Sequence, residues 1–139
     1  NFYTAVFGGD YNIRENLNLN IQIIYKKIEN WQDSELISDP LSNALARSVN
    51  TNSNQNSANP TGYSVRLAYK MWNDSLETEL SYLKWNIKND SVVKSKVSYS
   101  LNDSYKLSFA GESYFGPTNS PIGRFKDLSA FYSELRYLF

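Results

Sequence analysis

Apolar and polar residues alternate with a period of two along most of this chain, as in strands with one apolar and one wet face. Residues 128–139 oppose Phe131, Ser133, Leu135, Tyr137 and Phe139 to Ala130, Tyr132, Glu134, Arg136 and Leu138. The same rhythm runs through 105–115, 93–101, 63–72 and 17–28. In 76–88, Leu76, Thr78, Leu80 and Tyr82 hold one register before Leu83, Trp85 and Ile87 take the other. That slip predicts either a β-bulge near Tyr82 or a strand end rising out of the apolar layer. Residues 2–12 keep Tyr3, Ala5, Phe7 and Tyr11 in phase, weakened by Gly8-Gly9. Seven strands are predicted.

The connections alternate between short and long. Residues 14–16, 73–75 and 102–104 are tight, with the Asn/Asp/Ser chemistry that tolerates left-handed backbone or caps its own turn. Between them lie a long loop at 30–61, a small one at 89–91 and an intermediate one at 116–127. In the long loop, Asp39 as N-cap, Pro40 behind it, and Leu41, Ala44 and Leu45 predict a short helix near 40–47. The polar tract that follows predicts poor order over 49–59.

Composition narrows the function classes. Among 139 residues there is no Cys and no His, so a thiol nucleophile, a His-based triad and a disulfide framework are all excluded. Fourteen cations balance fourteen anions, which argues against nucleic acid as a partner. No phosphate-binding loop is present, no cofactor is expected, and the chain reads as non-enzymatic. Aromatics reach 15%, yet Asn and Ser together supply 36 residues. The chain opens on Asn1, as expected for a mature chain or a piece of one.

Ten-residue alternating strands, tight turns at one end, long polar loops at the other and aromatics near strand ends together predict an antiparallel transmembrane β-barrel. Tyr25, Trp31, Tyr63, Trp72, Trp85, Tyr99, Tyr105, Tyr114 and Tyr137 are the candidates for the interfacial belts. The ending, Phe131-x-x-x-Leu135-x-Tyr137-Leu138-Phe139, resembles the C-terminal assembly signal of Gram-negative outer-membrane barrels. The stretch 92–139 is similar to the ends of porin-like and alginate-export-like barrels. The resemblance implies residence in the outer membrane, recognition by the barrel-assembly machinery through Phe131, Leu135, Tyr137 and Phe139, and lipid around the outer wall. The rival fold is a soluble all-β domain, lipocalin-like or a sandwich, with its apolar face turned inwards.

In a barrel the wet face would line the lumen with Lys26, Arg66, Lys70, Lys94, Lys96, Lys106 and Arg136. Asp10, Glu77, Glu79, Glu112 and Glu134 would accompany them. Cross-strand ion pairs are the favoured reading, because the Glu77/Glu79 and Lys94/Lys96 faces lie on neighbouring strands. A lumen tuned toward anionic solutes is the sharper one. The expected function is a channel for small hydrophilic solutes; the rival is a structural barrel that scaffolds or sheathes a partner protein.

Strand parity adds one expectation. If Phe139 marks a periplasmic strand end, the turns at 102–103, 73–75 and 14–16 are periplasmic, and the loops at 89–91 and 30–61 are external. Single-chain bacterial barrels normally have an even strand number, at least ~8. Residues 1–139 are therefore expected to form the C-terminal portion, about seven strands, of a larger meander barrel whose N-terminal strands come from a separate chain, a further segment or a cleaved product, with 128–139 paired to 105–115 on one side and to a strand outside this sequence on the other.

Overall fold

The computed structural model describes residues 1–29, 31, 33–52, 57–118 and 120–137. Seven strands, β1 (Phe2–Arg14), β2 (Leu17–Ile28), β3 (Thr61–Met71), β4 (Leu76–Trp85), β5 (Ser91–Ser100), β6 (Tyr105–Phe115) and β7 (Ala130–Tyr137), form one sheet. They pair antiparallel in sequence order, and the sheet does not close on itself. The chain is all-β as its periodicity predicts, and β7 pairs with β6 as expected. No helix among the described residues is long and apolar enough to cross a membrane. Phe139, one of the four assembly-signal positions, lies outside the described residues.

The turns explain themselves locally. Asn102 Oδ1 accepts the backbone N–H groups of Ser104 and Tyr105, both at 2.9 Å, so the residue caps its own turn. Trp72, Asn73 and Asp74 all have positive φ, as do Lys88 and Asn89. The left-handed backbone starts one residue before the expected turn and removes Trp72 from β3. Its exposed indole meets the Tyr99 ring edge-on, centroids 6.3 Å apart.

Two expectations need correction. The pairing of β4 with β3 and β5 runs without a break from Leu76 to Lys84, so there is no bulge near Tyr82. Leu83 and Trp85 simply carry apolar side chains onto the otherwise polar face, the strand-end reading. The sheet's one register shift instead falls in the β1–β2 hairpin, at Asn12/Arg14. Finally, the helix α1 runs Pro40–Asn52, through residues expected to be poorly ordered. Asp39 Oδ2 accepts the Ser42 N–H at 2.8 Å and starts it. Once the first turn exists, each added Asn or Thr costs only a few tenths of a kcal/mol. Residues 53–56 of that tract lie outside the described residues.

The sheet has two chemically opposite faces. Facing one way are Phe7, Ile21, Ile23, Leu67, Leu80, Val97, Phe109, Phe131 and Leu135, all exposed; Phe7 reaches 70% and Phe131 76%. Among the described residues only Ile28, Val92 and Ala110 are buried apolar side chains, and by register all three lie on the other face. The layer that a soluble sandwich or lipocalin-like domain would bury is thus uncovered, and the small core sits on the polar side.

Candidate functional site

Register carries every charged residue singled out in the sequence to the same face. Lys70 faces Glu77, Glu79 faces Lys96, Lys94 faces Glu112, and Lys106 faces Arg136. Asp10 joins them through Asn20 and Arg66, while Lys26 opposes Thr4 and Glu134 opposes Ser108. Seven of the fourteen cations and five of the fourteen anions lie here.

The faces coincide with the expected set, but the partners are not the ones opposite. Arg66 donates to Glu79 at 2.6 Å along a diagonal, although Ser81 is its direct neighbour on β4. Lys106 on β6 reaches over β5 to Glu77 on β4, at 2.5 Å. Lys94 pairs with Glu112 at 3.2 Å, and Arg136 with Glu134 on its own strand at 2.8 Å. Each of these four carboxylates therefore holds its own cation. Two lysines do not share in this: Lys70 stays 4.0 Å from Glu77, and Lys96 makes no ion pair among the described residues.

Short side chains make the long reach possible. Ser98 and Ser108 stand opposite one another on β5 and β6 with hydroxyls 2.8 Å apart, and are only 3% and 6% exposed. They form a floor, and the longer ionic side chains stand around it. The result is a hollow of about 230 Å³ lined by Arg66, Lys70, Glu77, Glu79, Lys96, Lys106 and Arg136 over Ala68, Ser98 and Ser108. At one side Asn18 donates to Asp10 and Asn12 at 2.5 and 2.8 Å, which extends the polar belt onto β1.

Toward the long-loop end the same face turns apolar. Trp85 lies over Gly62, where an added Cβ would come within 2.8 Å of the indole. The loop after β6 folds onto this zone. Phe125 packs on Tyr114 with centroids 6.0 Å apart, and Pro121 and Ile122 meet Lys26, Pro60, Trp85 and Ile87 around a smaller cavity of about 90 Å³. Asp90, 1% exposed, anchors the loop by accepting the Ile122 N–H; its Oδ1 has no partner among the described residues. Gly116, at φ +146°, passes so close that a Cβ there would collide with that oxygen. Sequence reading missed Asp90, because nothing local in Asn89-Asp90-Ser91 distinguishes an anchor from an ordinary turn.

The aromatic expectations divide. Tyr25, Tyr63, Tyr99, Tyr105 and Tyr137 share the apolar face, whereas Trp85 and Tyr114 point to the polar one and cannot belong to a belt. On the apolar face, Tyr3, Tyr25, Tyr63, Tyr82 and Phe115 gather toward the long loops, and Tyr11, Tyr69, Tyr99, Tyr105 and Tyr137 toward the tight turns. Six residues separate Tyr63 from Tyr69 and eight separate Tyr3 from Tyr11. That is roughly 20–26 Å along a strand. Phe131, Leu135 and Tyr137 are on this face too, Phe131 stacked on Phe109 and Tyr137 in tilted contact with Tyr105.

Outside the sheet, Asp39 has its carboxyl held below the ordinary carboxylate range, first by the Ser42 side chain and then by the Ser42 N–H. Among the described residues no group of three or more acidic side chains is placed to hold a metal. No protein-family model matches this sequence, and no curated protein matches it either.

Proposed function

We propose that this chain forms part of the wall of an outer-membrane β-barrel, a porin-like channel that admits small hydrophilic solutes. The observation that carries this reading is the two-faced sheet. One face is apolar, uncovered and bordered by two aromatic rows roughly 20–26 Å apart along the strands; the other is charged and hollow. In lipid a sheet must pair every backbone group, and β1 and β7 each have one neighbour among the described residues. The reading therefore requires further strands beyond both edges, from the rest of a larger chain or from a separate one. A sheath around a partner protein would favour small or apolar inward residues over these ionic ones. Phe131, Leu135, Tyr137 and Phe139 serve as the assembly signal in this scheme.

The test is conductance of the complete protein in planar bilayers. Stepwise ion current is the expected result, and its absence from correctly folded protein would sink the channel reading.

A further inference from the structure

The serine-floored hollow has more positive charge around it than its carboxylates neutralise. Glu77 is engaged by Lys106, Glu79 by Arg66 and Glu134 by Arg136. Lys96 stands directly opposite Glu79 on one side and Ala110 on the other, so its nearest carboxylate is already taken and its other neighbour is apolar. It lies within electrostatic range of Glu77, Glu79 and Glu134 without closing on any of them. The charge separation has a global side as well. The chain is neutral overall, yet this face holds seven cations against five anions, so the remaining surface carries the compensating negative excess.

We infer that the hollow is a binding station for a small oxyanion, a carboxylate or phosphate group, held over Ser98 and Ser108 by Lys96 with Lys106 and Arg136 at its rim. The inference rests on the channel reading and names the solute class for it. Three features argue for this ligand. In the floor the Ser98 and Ser108 hydroxyls bond each other, which leaves one O–H to donate to an anion without blocking the space above it. An ammonium that closes on none of the nearby carboxylates keeps its N–H donors open to a ligand. Finally, the flanking cations are braced by their own pairs, so they present charge to the ligand at fixed positions. The site is open, which suits a solute that must leave as easily as it enters.

The experiment uses the complete, folded protein in detergent and inorganic phosphate as the probe, with binding read by calorimetry at low ionic strength and conductance read separately. The parent is expected to bind phosphate, Lys96→Gln to weaken that binding about fivefold or more, and Lys96→Arg to retain it, since one well-placed charge contact is worth roughly this much. Lys84→Gln, on the apolar face, should leave it unchanged. No phosphate binding by the parent, or equal binding by Lys96→Gln, overturns the inference. A protein that conducts without binding phosphate refutes the oxyanion station alone, whereas one that binds at Lys96 without conducting refutes the channel reading alone.

Discussion

The carboxylate of Asp90, in the turn between β4 and β5, accepts the backbone N–H of Ile122, in the loop between β6 and β7, at 2.9 Å. This single bond ties together two loops 32 residues apart and holds the second against the polar face. Asp90→Ala leaves the half-buried Ile122 N–H without this partner, at a cost of about 1 kcal/mol. The loop contains Arg124 and Lys126, so the expected outcome is faster trypsin cleavage within 116–128 and little change elsewhere. Cleavage at the parental rate would disprove the anchor.

Two glycines separate backbone need from habit. Gly116 combines φ +146° with the close approach to Asp90, whereas a Cβ at Gly9 meets nothing within 4 Å. Gly116→Ala should lower the unfolding midpoint by the equivalent of about 1–3 kcal/mol, while Gly9→Ala should stay within about 0.5 kcal/mol of the parent. Heat-modified gel mobility measured against temperature ranks the two; equal midpoints would contradict the geometry.

The apolar face has its own test. Leu80 lies near the middle of that face on β4, and Ala68 on β3 points the other way. If lipid covers Leu80, Leu80→Arg costs about 2–4 kcal/mol, whereas Ala68→Gln on the wet face costs little. Equilibrium unfolding from phospholipid vesicles measures both. Tolerance of arginine at Leu80 would argue against a lipid-facing surface.

The pH dependence of α1 follows from Asp39. Its folded-state pKa lies below the ordinary value of 3.8, so the cap contributes fully above that value and is lost as the pH falls through the folded pKa. Amide exchange in Pro40–Asn52 should accelerate only in that acid range, and Asp39→Ala should remove the dependence. Identical acid profiles for parent and variant would show that something else starts the helix.

Much of the architecture was legible because a period of two leaves little freedom. It set the seven strands, the common face of Lys26 through Arg136 and the tight turns, since one slip in register would throw every side chain to the wrong side. What stayed hidden depends on contacts distant in sequence. Trp85 looks misplaced in β4 until Pro121 and Ile122 of the 116–128 loop arrive beside it. Glu79 ought to meet Lys96 across the strands; that it turns to Arg66 reflects side-chain reach along a diagonal, which register alone does not decide. The burial of Asp90 has the same origin, because a turn residue becomes an anchor only when another loop arrives.

The meander order of the sheet also bears on how it forms. From β3 to β7 each strand pairs with the one just made, across connections of a few to about a dozen residues, whereas β2 and β3 are separated by residues 29–60. Closing that segment costs roughly 2 kcal/mol more chain entropy than closing the two-residue turn between β1 and β2. On this ground the hairpin β1–β2 and the block β3–β7 are expected to form first, and the seam between Leu17–Tyr25 and Thr61–Tyr69 to close last.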